Sequence, residues 1–218
     1  MAVSSHYEGA EGARYAEYQL AIARPMGAVN ARKFARFIKP TDTVLDFGCG
    51  GGFILLALPC ANRIGVEPAE AALAVARSNR IEAYPSTTMV GAARVDVVIS
   101  HHALEHTTRP LDELRALRNV LKHGGRLVLV LPLDDWRTQR RYELREINHH
   151  LYAWTPQLLG NLVADAGFRV EQIMVVTHAW PPGAHVLRRL PAAVFDACCF
   201  AFAVLRRRRQ IQLVAVTQ

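Results

Sequence analysis

Asp46 is followed almost at once by Gly48, Cys49, Gly50, Gly51 and Gly52, the pattern in this chain best suited to holding a small ligand. Glycines let backbone N–H groups approach a ligand closely, and the start of a following helix adds partial positive charge. The dinucleotide fingerprint wants a third glycine where this chain has Phe53, which weighs against a pyrophosphate. A carboxylate at the mouth of the loop would repel phosphate and suits a ligand that carries an ammonium group. Twenty-one residues after Asp46 stands Glu67, at a spacing where an acid can accept hydrogen bonds from both ribose hydroxyls, and Pro68 beside it can pack on an adenine. A second cluster is His101, His102, Glu105 and His106. His102-x-x-Glu105-His106 matches the zinc-peptidase pattern, but that pattern needs a long helix and a third ligand. Here the stretch follows an apolar run and breaks over residues 107–110, so no metal is expected. Asp134, Asp135, His149 and His150 are further polar groups that could meet an acceptor hydroxyl.

To act together these groups must lie on one rim. Apolar runs of strand length at 43–47, 63–67, 81–84, 95–100 and 127–131 alternate with helical patterns at 52–58, 69–78, 110–121 and 155–166. Pro110 at the start, Asp112 and Glu113 in the first turn, and Leu111, Leu114, Leu117 and Leu121 on one side mark a helix packed on a sheet. The continuous apolar run 127–131 reads as a strand buried on both faces. Strand after helix after strand implies an α/β, doubly wound, mostly parallel sheet, in which ligands bind outside the carboxyl ends of the strands where strand order reverses. Asp46 and Glu67 stand at two such ends. Upstream, helices are expected at 13–23, interrupted by Pro25, and at 30–38, closed by Lys39-Pro40. Tyr15 and Tyr18 share a face, which reads as ordinary packing, and residues 1–12 read as a mobile arm or lid.

Val44-Leu45-Asp46-Phe47-Gly48-Cys49-Gly50 resembles the first motif of the class I S-adenosylmethionine-dependent methyltransferases, and the resemblance continues through Glu67, the stretch 102–106 and Gly124-Gly125. It covers roughly residues 30–176. The resemblance implies a Rossmann-like, seven-stranded sheet whose last strand, at 210–216, runs antiparallel beside the strand at 168–176. It implies S-adenosyl-L-methionine as cofactor, held by Asp46, Gly48, Cys49, Gly50, Glu67 and Pro68. His101 and Leu104 would line it, and Ser86 would lie near the adenine edge, where many relatives have an acid. His106 would face the substrate as general base for a hydroxyl acceptor. Residues 149–156 resemble a stretch of small-molecule and glycan-linked relatives, which favours a soluble or lipid-linked acceptor over nucleic acid, and the reaction expected is O-methylation of a small-molecule or lipid-linked saccharide acceptor. Rival readings are a domain that binds the cofactor as a regulator without turnover, and a nucleic-acid methyltransferase; no basic groove with aromatic lining supports the latter.

With 218 residues, 51% hydrophobic and 21% charged, the chain reads as one globular domain, with a helical arm over 1–40 and an insertion over 177–209. Its four cysteines lack metal or disulfide spacing, and residues 1–18 lack the apolar core of a signal peptide, so a cytoplasmic protein is expected. The net charge of +7 is concentrated in Arg188, Arg189 and residues 206–209. These bracket an apolar stretch, 190–205, too short for a membrane span of about 20 residues. A helix lying at a membrane surface with Phe195, Phe200 and Phe202 in the acyl boundary is one expectation, although only Phe195 and Phe202, seven apart, share a face and Phe200 lies off it; a cover packed on the domain and a homodimer contact are the others.

Overall fold

The computed structural model describes residues 3–4, 7, 9–133, 142–143 and 147–218. Seven strands form one sheet: β1 (Thr43–Phe47), β2 (Asn62–Val66), β3 (Glu82–Tyr84), β4 (Val95–His101), β5 (Leu121–Leu133), β6 (Phe168–Val176) and β7 (Arg209–Thr217). Their order is β3-β2-β1-β4-β5-β7-β6. Neighbours from β3 to β5 pair in parallel, whereas β7 runs antiparallel to both β5 and β6. Strand order reverses between β1 and β4, which opens a crevice beyond their carboxyl ends.

Alternation along the strands builds a core on each face. Leu127, Leu129 and Leu131 join one buried cluster with Leu45, Phe47 and Val98, while Val128 and Val130 join the other with Val44, Val97 and Ile99. A strand apolar at every position therefore buries both faces. The covering helices are α1 (Gly9–Ala31), α2 (Phe53–Leu56), α3 (Glu70–Ser78), α4 (Pro110–Val120), α5 (Pro156–Asp165), α6 (Ala184–Leu187) and α7 (Ala192–Arg206). In α5 the Thr155 hydroxyl caps the Leu158 N–H at 3.2 Å, with Pro156 at the first position.

Three expectations are corrected. The break at Pro25 does not occur: α1 runs through it as one helix of 23 residues. Proline removes a hydrogen bond there, but Met26, Gly27, Asn30 and Ala31 are buried immediately after it, and tertiary packing overrides local propensity. Gly27 lies so close to α2 that a Cβ would sit 2.5 Å from the Phe53 carbonyl oxygen. The helix expected over 30–38 is instead the end of α1 and a 3-10 turn, Ala35–Phe37. The third correction concerns the apolar tail. Phe195, Cys199 and Ala203, four apart in sequence, are buried, and Phe195 and Cys199 pack with Met26 and Ala184. Phe195 thus faces α1, not lipid, and Arg32 pairs with Asp196 to hold the same contact.

Candidate active site

The glycine turn joins β1 to α2. The Gly48 and Cys49 N–H groups both donate to the Val66 carbonyl, at 2.8 and 3.0 Å, which ties the turn to the end of β2. Gly48 has φ +78°, and a Cβ there would lie 2.4 Å from the Ala103 methyl. Gly50 has φ +52° and open space where a Cβ would be, so its backbone is bare toward the cavity. The Glu67 carboxylate reaches across: Oε2 accepts from the Gly50 N–H and Oε1 from the Ala69 N–H, both at 2.9 Å. Each oxygen keeps a lone pair for a further donor. Burial raises the Glu67 pKa, against the lowering by those two N–H bonds.

Asp46 lies behind the turn, almost wholly buried, and neither carboxylate oxygen has a hydrogen-bond partner among the described residues. Burial, and then the charge of Glu67, pushes its pKa up to about 8. An ionised carboxylate without partners is costly in such a place, and an ammonium group would supply both the hydrogen bonds and the opposite charge.

The turn forms part of the wall of a cavity of about 620 Å³, within the usual range for small-molecule sites. Gly48, Cys49, Gly50, Glu67, Pro68, His101 and His106 line it. Asp46, Leu104 and Ser86 do not, so the carboxylate expected at the mouth of the loop sits behind it instead. Leu104 is fully buried and starts the 3-10 turn Leu104–His106 that carries Glu105 and His106, while the Ser86 hydroxyl caps the Thr88 N–H. Asp134 and Asp135 lie outside the described residues.

Across from the turn, the Lys33 ammonium donates to His101 Nε2 at 2.8 Å and to Gln210 Oε1 at 3.2 Å. Burial lowers the Lys33 pKa to about 7. Burial, and then Lys33, holds His101 well below the ordinary imidazole value. His101 stacks on His102 at 4.4 Å, and His102 has φ +54°, a strained conformation of the kind that collects at functional sites. The zinc-peptidase reading fails on geometry, because His102 lies before a single 3-10 turn rather than on a helix with His106.

His106 is positioned by the N-terminal segment. The Tyr7 hydroxyl lies 2.6 Å from His106 Nδ1 and donates to the Asn148 carbonyl, also at 2.6 Å. With the phenol proton on that carbonyl, the imidazole donates through Nδ1–H and keeps its lone pair on Nε2. Burial first, and then His150, brings the His106 pKa down to about 3, so the ring is neutral across the physiological range. Glu105, His106 and His150 hold ligand-type atoms within 4.8 Å of one another, close enough to share a cation. The segment read as a mobile arm therefore contributes to the site: Val3 bridges Thr107, and Tyr7 packs edge-on to Tyr15 at 4.9 Å. Tyr15 and Tyr18 line the cavity too. Tyr7, between His6 and Glu8, and Lys33, between Arg32 and Phe34, had no sequence signal.

A methyltransferase-domain family matches residues 16–173. Over 128 residues the chain is 34% identical to the ubiquinone biosynthesis O-methyltransferase of Roseobacter denitrificans, covering 52% of this chain and 50% of that protein. Over 98 residues it is 37% identical to the enzyme of the same name from Pseudomonas aeruginosa, covering 39% of this chain and 42% of that one. The match thus spans at most about half the length of these curated relatives. In fold it is similar to an S-adenosylmethionine-dependent methyltransferase from Archaeoglobus fulgidus, with a TM-score of 0.65 and 17% identity over 93% of this chain and 99% of that one. One from Thermotoga maritima also gives a TM-score of 0.65 and 17% identity, over 99% and 100% of the two chains. With an acid, a glycine turn and a second acid at the ends of adjacent strands, the chain belongs to the methyltransferase-domain family and has the fold of these two S-adenosylmethionine-dependent methyltransferases.

Proposed function

We propose that this protein transfers a methyl group from S-adenosylmethionine to the oxygen of a small-molecule acceptor. The observation that carries the reading is the buried Asp46 carboxylate, without a hydrogen-bond partner among the described residues, behind a glycine turn whose Gly50 N–H is already bonded to Glu67. The residues fit the cofactor: Glu67 has lone pairs for ribose hydroxyls, Asp46 lacks a cation, and Lys33 offers a partner for a carboxylate. Bound there, the cofactor supplies an electrophilic methyl on a sulfonium, released to the nucleophile by in-line displacement. The chain's own task is to bind and orient both reactants and exclude water.

The relatives named as O-methyltransferases favour a hydroxyl acceptor. Such a hydroxyl loses its proton as the new C–O bond forms, and His106 Nε2 is the base assigned to receive it. Its low basicity suits an acidic hydroxyl of the phenol type better than the saccharide hydroxyl expected from sequence. His106→Ala should lower turnover by about a hundredfold or more while leaving cofactor affinity unchanged. Transfer of labelled methyl to extract fractions, followed by kinetics on the acceptor found, measures this. Unchanged turnover would remove His106 from the chemistry, and no transfer to any fraction would leave a cofactor-binding regulator.

For location, the reading includes contact with a membrane surface. No helix among the described residues is long and apolar enough to cross a membrane. The outer face of α7, however, exposes Val194, Phe200, Val204 and Leu205 next to a basic run, the composition of an interfacial helix.

A further inference from the structure

Arg206, Arg208 and Arg209 open onto the same cavity as the glycine turn, although they come from two elements. Arg206 ends α7, and Arg209 starts β7 in register with Leu133 at the carboxyl end of β5. Because β7 is antiparallel, its first residues, not its last, reach the rim where β1, β4 and β5 end. Between them Arg207 adopts a left-handed backbone, φ +54°, and reverses the chain. Its N–H donates to the Val204 carbonyl at 3.2 Å and that of Arg208 to the Ala203 carbonyl at 2.8 Å. Glycine is the residue that makes this helix end without strain. An unbroken basic run occupies the turn instead.

Among the described residues these guanidinium groups are not neutralised. Among the described residues none of the three pairs with a carboxylate; Asp196, the acid of α7, is held by Arg32. Three like charges at one cavity mouth repel one another unless an anion lies between them. The cofactor does not call for so many cations, since it carries a single carboxylate, for which the reading above assigns Lys33. Guanidinium forks bind phosphate oxygens in pairs, and several of them match a group with more than one negative charge.

We infer that Arg206, Arg208 and Arg209 form an anion site for the methyl acceptor, which carries a phosphate or diphosphate held at the cavity mouth while its hydroxyl reaches toward His106. The inference rests on the methyltransferase reading above and adds the charge class of the acceptor. The same phosphate chemistry occurs on soluble metabolites and on lipid-linked ones, and α7, with its exposed apolar face, would lie alongside the lipid of the latter.

The test uses the full chain and inorganic pyrophosphate as probe, titrated at low salt into the wild type and into the triple variant Arg206→Gln, Arg208→Gln, Arg209→Gln. Binding of S-adenosylmethionine to both proteins reports whether the fold and the cofactor site are intact. The expected result is pyrophosphate binding to the wild type, weakened at least tenfold in the triple variant, with cofactor affinity unchanged within twofold. Farnesyl diphosphate and a sugar monophosphate, titrated in parallel, separate a lipid-linked from a soluble acceptor by which binds more tightly. Equal pyrophosphate binding by both proteins, or none by the wild type, overturns the site. Loss of cofactor affinity in the triple variant overturns it as well, since the arginines would then serve the cofactor. So does binding to phosphatidylglycerol vesicles without binding to free pyrophosphate, which would mean that the arginines meet a bilayer. Pyrophosphate binding through these arginines in a chain that never binds S-adenosylmethionine would refute the methyltransferase reading and the acceptor role together, leaving only an anion site.

Discussion

At Asp46, stability and ligand binding pull in opposite directions. Its pKa, raised to about 8 by burial and by Glu67, means that the free chain holds a proton there when folded and releases it when unfolded near neutral pH. The stability linked to that proton is full below the ordinary carboxylate range and is lost as pH rises through about 8. Asp46→Asn keeps the shape and removes the charge. Its cofactor-free melting temperature should exceed that of the wild type at pH 8.5, with the gap closing toward pH 5, while affinity for S-adenosylmethionine falls. Melting curves across pH check this; a variant less stable than the wild type at pH 8.5 would contradict the assignment. Asp46 and Glu67 were legible in the sequence because an acid at the end of an apolar run has its position fixed by the strand. Tyr7 and Lys33 were not, because each reaches the cavity from a segment whose own pattern says nothing about the strand ends. Tyr7 meets His106 across 99 positions of sequence, and Lys33 meets His101 across 68.

Among the elements, those with a strong apolar period were legible and those governed by tertiary contact were not. The strand expected at 168–176 and the helix begun by Pro110 stand as expected, since their patterns and turn residues agree. In α1 the sequence presents Pro25 as a break, and only the burial of Met26 and Gly27 against the domain shows why the helix continues. In α7 the near-uniform apolar composition hid which face turns inward: Phe195 is 1% exposed and Phe200 57%. That outer face leads to a prediction for the element. The protein should float with vesicles containing anionic lipid, and Phe200→Glu with Leu205→Glu should abolish flotation, because two charges would enter the acyl boundary. If the wild type stays with the aqueous fraction at low salt, the face belongs to a second copy of the chain or to another subunit. A dimer that the same substitutions dissociate would point to the former.

For the molecule as a whole, sheet order converts local sequence into a site. Reversal between β1 and β4 opens the crevice, β2 brings Glu67 beside the glycine turn, and the antiparallel β7 returns a basic run to the same rim. The alternation of strands and helices made the fold legible, together with the motif at residues 44–50, whereas the side of the cavity proposed for the acceptor is lined by Val3 and Tyr7, by Asn148 and His150, and by Phe202 and Arg206 of α7. Those pieces share no periodic signal, so their meeting is visible only in three dimensions. The central claim, that this cavity holds S-adenosylmethionine through Asp46, the glycine turn and Glu67, is tested most directly by calorimetric titration of the cofactor into the wild type and Glu67→Ala. The account predicts binding by the wild type and a loss of about 1.5–3 kcal/mol in the variant, from the missing hydrogen bonds to a charged acceptor. No heat with the wild type, or equal affinity in the two proteins, would contradict it.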